Sequence, residues 1–134
     1  MIRSQNHNIC SHYFPYKKKE QSRIEYDISL AKHIKDNYSV DIIVCVGWMH
    51  ILSSEFIQNF PNIINLHPAL PNTFPGGNAI EDAFNAYKKG TITHTGVMIH
   101  HVIPKIDSGK VIGEAKILEK KKPIKDEKKV IKKK

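Results

Sequence analysis

Two stretches decide the fold: Asp41-Ile42-Ile43-Val44-Cys45-Val46-Gly47 and Ile63-Ile64-Asn65-Leu66-His67-Pro68. The first is an unbroken apolar run rich in β-branched side chains, opened by an acid and closed by a glycine. It reads as a strand buried on both faces, the pattern of a parallel sheet covered by helices. The second reads as a shorter strand, ended by a proline that cannot donate to a ladder. Asn65 and His67 are two residues apart, so on a strand they share one face, while Ile64 and Leu66 turn the other way into apolar packing.

Upstream, Ser22 and Glu25 have the spacing of a capping box. Ile24, Ile28, Ala31 and Ile34 then recur at helical spacing, as do Tyr26 and Leu30, and predict an amphipathic helix ending near Asn37. Residues 1–21 show no period and read as an extended leading segment. Between the two strands, Ser53 or Ser54 caps a short helix that Pro61 stops. Downstream of Pro68 comes a Pro- and Gly-rich loop to Gly77, a helix over 79–89 stopped by Gly90, and strands over 96–103 and 111–118. Asp107-Ser108-Gly109 forms the turn between those strands, a place that Asp suits. Strands alternating with helices predict an α/β sheet, mostly parallel, with an antiparallel pair near the C-terminus.

Composition narrows the function. The 134 residues suffice for one small domain, here placed at residues 22–118. The net charge of +8 is concentrated at one end: residues 120–134 hold nine lysines. Residues 119–134 therefore read as a solvated, disordered tail rather than a nucleic-acid surface. No run reaches the ~18 apolar residues of a membrane span. Cys10 and Cys45 are far apart, and Cys45 lies within the apolar strand as a buried thiol, which fits a reducing compartment such as the cytoplasm. His100 and His101 are adjacent on a strand and face opposite sides, so they cannot ligate one metal together, and no metal site is read. His50 reads as surface and Trp48 as core or pocket wall. The Pro75-Gly76-Gly77 loop alone is thin support for a phosphate site.

In open α/β sheets, ligands bind beyond the carboxyl ends of the strands, where the second strand delivers Asn65 and His67. An isolated Asn-x-His is more often a capping amide and a structural histidine than a site. The surrounding text changes that balance. Gly47-Trp48-Met49-His50-Ile51-Leu52-Ser53 precedes Asn65-Leu66-His67-Pro68-Ala69-Leu70-Pro71, then Pro75-Gly76, Thr95-Gly96 and Ile106-Asp107-Ser108-Gly109. Ser22-Arg23 and Tyr26-Asp27-x-x-Leu30 precede them all. This succession resembles the folate-dependent formyltransferases, and within them the phosphoribosylglycinamide formyltransferase family, most of all its fungal form.

The resemblance implies a Rossmann-like formyltransferase sheet. It implies formyl transfer from 10-formyltetrahydrofolate, as co-substrate, to the amine of glycinamide ribonucleotide in purine biosynthesis. Asn65, His67 and Asp107 match the catalytic triad. Met49, His50, Ile51 and Leu52 match the stretch whose backbone lines the folate pocket, and residues 102–107, including Val102 and Ile106, match the loop that closes over the pteridine ring. Arg23 receives no role. The chemistry suits these residue types: an amine attacking a formyl carbon builds negative charge on the formyl oxygen, which an amide N–H and an imidazole can stabilise, while a carboxylate orients the imidazole or an ordered water. The family opens with a strand and a glycine-rich turn that holds the substrate phosphate on backbone N–H groups, and residues 1–21 lack that pattern. The sheet is therefore expected to be truncated, and the chain to bind a reduced folate without measurable turnover. Rival readings are a methionyl-tRNA formyltransferase, a formyltetrahydrofolate deformylase, or an inactive folate-binding module.

Overall fold

A computed structural model describes residues 2–118. The elements in chain order are α1 (Ile2–Asn6), α2 (Arg23–Asn37), β1 (Ile43–Val46), α3 (Ser54–Ile57), β2 (Ile63–His67), α4 (Ala79–Lys88), β3 (His94–His101) and β4 (Val111–Leu118). The strands form one four-stranded sheet in the order β1-β2-β3-β4. β1 and β2 run parallel, with Cys45 opposite Asn65. β2 and β3 are antiparallel, as are β3 and β4. The parallel start and the antiparallel finish match the sequence expectation, but the sheet is not mostly parallel: two of its three pairings are antiparallel. The reversal begins one strand early because α4 returns the chain to the far end of β2, against which β3 runs back.

The predicted helix start is present atom for atom. Glu25 N–H donates to Ser22 Oγ, and Ser22 N–H donates to a Glu25 carboxylate oxygen at 2.7 Å. The Ser22 backbone N–H on the carboxylate, followed by the Ser22 hydroxyl, holds the Glu25 pKa below its ordinary value. The helix turns four of its six predicted apolar positions, Tyr26, Leu30, Ala31 and Ile34, toward the interior, and departs from the prediction at the other two. Tyr26, Asp27 and Ala31 are buried, whereas Ile24 and Ile28 are half exposed. Leu30, Ile34 and Ala31 pack with Cys45, Leu52, Phe56, Phe60 and Ile63 into a single core between α2, α3 and one face of the sheet. Fully burying a side chain such as Phe56 or Ile63 contributes about 1.5–3 kcal/mol. Burial also raises the Cys45 thiol above its ordinary pKa.

The leading segment departs from the expected extended form at its start, where α1 forms. Its later part lies along α2: the Tyr26 hydroxyl donates to Phe14 O at 2.9 Å, and the Phe14 ring meets those of Tyr26 and His33. The second face of the sheet also departs from expectation. β1 is an edge strand, with Val44 at 54% and Val46 at 67% exposure. On the same face Leu66, Ile99 and Ile117 are 39%, 37% and 52% exposed. Among the described residues the apolar run over 41–47 is thus covered on one face only, and Leu66 stays exposed rather than entering a second packed layer. The tail expected over 119–134 lies outside the described residues.

Candidate active site

β2 ends with Asn65 and His67 on the face that also carries Cys45, Met98 and His100. The antiparallel register sets Asn65 opposite His100 and His67 opposite Met98. This places three polar side chains at the rim of the core, with His67 and His100 only 4% and 3% exposed. The fourth is Asp107, from the turn between β3 and β4. Its φ of +46° is left-handed, a conformation that aspartate tolerates better than most side chains. The turn is fixed by a close backbone approach. A Cβ on Gly109 would lie 1.7 Å from His101 O, so only glycine fits there.

Asp107 is the hub of the cluster. Its Oδ2 accepts Gly76 N–H at 2.8 Å and lies 3.6 Å from His67 Nδ1. Its Oδ1 lies 3.4 Å from His100 Nε2. The His67 separation is an ion-pair distance rather than a hydrogen bond. The ring tautomers follow from the partners that can only accept. His67 Nε2 is 2.7 Å from Phe74 O and therefore carries a proton. His100 Nδ1 is 2.9 Å from His101 O and carries a proton for the same reason. In the neutral ring, His100 Nε2 then accepts from Asn65 Nδ2 at 3.3 Å. That contact fixes the Asn65 amide and leaves its second N–H as a free donor. A further proton on His67 Nδ1 or on His100 Nε2 would face Asp107, so the cluster can hold or pass a proton across the carboxylate.

The cluster opens into a cavity of about 120 Å³. One wall is the loop after β1, with Trp48, Met49, His50, Ile51 and Leu52. The opposite wall is Val102, Ile103 and Ile106, and Gly76 and Gly77 close one side. The three catalytic candidates and the six folate-contact candidates line one cavity: Asn65, His67 and Asp107 at its polar end, and Met49, His50, Ile51, Leu52, Val102 and Ile106 along its walls. Met49 and Ile51 are exposed and Leu52 is buried, so the loop presents apolar side chains outward while anchoring itself in the core. His50 is exposed, as expected of a surface residue, and its ring meets Trp48 and Tyr16 edge-on. Trp48 packs against the core and forms pocket wall.

Three participants are not legible in the sequence. His100 reads there only against a metal site, whereas in the structure it orients Asn65 and faces Asp107. The Gly76 N–H, at a φ of +89°, is spent on Asp107 rather than offered to a phosphate. Phe74 supplies the carbonyl that sets the His67 tautomer. A buried polar residue in an apolar strand was the available signal for His100.

The comparisons with known proteins agree with this architecture. The sequence pattern of the formyl transferase family matches residues 1–131, and the chain belongs to that family. It is 48% identical over 97 residues to a phosphoribosylglycinamide formyltransferase of Dictyostelium discoideum, covering 68% of this chain and 47% of that protein. It is 50% identical over 105 residues to the Schizosaccharomyces pombe enzyme of the same name, covering 73% and 50%. The chain therefore spans about half the length of these curated relatives. The crystal structure of a phosphoribosylglycinamide formyltransferase from Streptococcus pneumoniae TIGR4 superposes with a TM-score of 0.78 at 28% identity, over 88% of this chain and 63% of that one. No described helix is long and apolar enough to cross a membrane.

Proposed function

We propose that this chain carries the folate side and the reacting groups of a formyl transfer from 10-formyltetrahydrofolate to the amine of glycinamide ribonucleotide, a step of purine biosynthesis. The observation that carries the reading is the convergence of Asn65, His67 and Asp107 at the polar end of one cavity with mainly apolar walls, in a chain of the formyl transferase family. The folate lies against residues 49–52 and 102–106, and its formyl group points to Asn65. As the amine attacks, the free Asn65 N–H stabilises the growing negative charge on the formyl oxygen, held in place by His100. His67 spends its Nε2–H on Phe74 O, so it contributes through charge: a proton on Nδ1, facing Asp107, makes it an imidazolium near the developing oxyanion. Proton movement away from the attacking amine runs through the same cluster, because Asp107 faces both imidazoles.

Calorimetric titration with 5-formyltetrahydrofolate, a non-transferring analogue, tests the folate half. Saturable binding weakened by Ile106→Asp, which sets a carboxylate in the apolar wall, supports it, and absence of binding by the parent chain contradicts it. The chemical half is tested by supplying 10-formyltetrahydrofolate and glycinamide ribonucleotide. Any turnover above the no-turnover expectation should fall by about 10²–10³ in Asn65→Ala, the cost of losing one oxyanion donor. Turnover indifferent to Asn65, His67 and Asp107 contradicts the assignment.

A further inference from the structure

Asp27 is fully buried, at 0% exposure, and none of the chemistry above uses it. Its Oδ1 lies 2.6 Å from Arg23 Nη2, one helical turn earlier. The contact is an ion pair without hydrogen-bond alignment, since neither atom finds a hydrogen-bond partner. Its Oδ2 does make an aligned bond: it accepts Ser53 N–H at 2.8 Å. Ser53 is the N-cap of α3 and directly follows the loop that forms one wall of the cavity. Among the described residues, positions 48–52 make no backbone–backbone hydrogen bond. The loop is held instead by its side chains, with Leu52 buried and Trp48 against the core, and by the bond from Ser53 to Asp27 at its end. The other partner of Asp27 reaches the loop as well. The Arg23 guanidinium lies 5.5 Å from the centre of the Trp48 ring, and 4.6 Å and 5.4 Å from those of Tyr26 and Tyr16. One carboxylate thus joins α2 to both ends of the cavity wall.

We propose that Asp27 is a positioning residue for the folate: it fixes the backbone of residues 48–52 so that this wall meets the ligand, and it touches no ligand itself. The physical basis is that a buried carboxylate must keep its partners, because an unpaired charge in the core is costly. The bond to Ser53 N–H is therefore held as tightly as the core itself, and a loop without ladder or helix bonds inherits that rigidity. A stabilising role alone would predict that Asp27 matters to unfolding and not to the ligand. The positioning role predicts that the wall moves while the fold stays. It rests on the folate reading of the cavity for its ligand arm only.

Ser53 isolates the bond. Its φ of −72° is compatible with proline. Ser53→Pro and Ser53→Ala both lose the hydroxyl that caps Phe56 N–H, but only Ser53→Pro also loses the N–H given to Asp27. Three variants, Ser53→Pro, Ser53→Ala and Asp27→Asn, are compared with the parent by titration with 5-formyltetrahydrofolate and by the emission of Trp48, the sole tryptophan. The expected result is binding weakened by about tenfold or more in Ser53→Pro and Asp27→Asn, the order of a lost charge-assisted bond. Their Trp48 emission shifts, and Ser53→Ala stays at parent values in both readings. Parent affinity and parent emission in Ser53→Pro overturn the proposal, whatever happens to thermal stability. Should Asp27→Asn not fold, the two Ser53 variants decide alone. Should the parent bind no folate, the folate reading fails and the emission still decides: a shift in Ser53→Pro absent from Ser53→Ala supports the positioning role, and no shift overturns it.

Discussion

Gly109→Ala is the perturbation whose cost follows most directly from the geometry. The added Cβ would stand 1.7 Å from His101 O and 2.7 Å from His101 C, both backbone atoms that cannot swing aside as a side chain would. Relief requires the Asp107 turn to move away from β3. That movement stretches the bond from His101 N–H to Lys110 O, now 2.9 Å, and its neighbours on the ladder. Losing one or two such bonds costs about 0.5–1.5 kcal/mol each. Overpacking a tight contact adds about 1–3 kcal/mol. The variant should therefore lose roughly 1.5–6 kcal/mol, which for a domain of this size lowers Tm by about six degrees or more. The displacement also reaches the site, because the same turn carries Asp107 and His101 O orients His100. Circular dichroism melts, paired with titration of 5-formyltetrahydrofolate below the melting range, measure both effects. A melt within about two degrees of the parent with unchanged folate affinity would refute the argument that this contact fixes the turn.

Three further outcomes are expected. Ser22→Ala removes the α2 cap, which costs about 0.5–2 kcal/mol; a thermal melt indistinguishable from the parent would show that the capping box does not hold the helix start. Glu25 has a pKa lowered in the folded chain, so its contribution to stability is present above the ordinary carboxylate value and is lost as pH falls through the lowered one. Melting temperature followed down through that acidic range should therefore fall less steeply for Glu25→Gln than for the parent. Cys10 is exposed and Cys45 is buried with a raised pKa, so at neutral pH a thiol reagent should label Cys10 at once and Cys45 only after denaturation; prompt labelling of both would mean that the core opens at β1.

What the sequence shows and hides follows from the range of each interaction. The Ser22–Glu25 box, β2 and β4 are local, set by spacing within a few residues, and they stand where the sequence places them. The same period-two argument puts Asn65 and His67 on one face. The stripe of α2 is less legible: Ile24 and Ile28 fit a helical period as well as Tyr26 and Ala31 do, and only the docking of the leading segment and α3 decides between them. The apolar character of residues 41–47 is plain, whereas which of its faces is covered depends on elements elsewhere. His100 needs the register between β2 and β3, a pairing between residues 35 apart, and nothing local announces it. The bond from Ser53 to Asp27 spans 26 residues and is hidden for the same reason.

The most direct test of the account uses the histidines as reporters. Of the eight in the chain, His50, His67 and His100 line the cavity, while His7, His12, His33, His94 and His101 do not. Imidazole resonances assigned by single substitution and followed by NMR during titration with 5-formyltetrahydrofolate locate the ligand without any need for turnover. The account predicts saturable shifts at His67 and His100, a smaller one at His50, and no change at the other five. Shifts confined to histidines outside the cavity, or no shift at His67 while the folate binds, would contradict it.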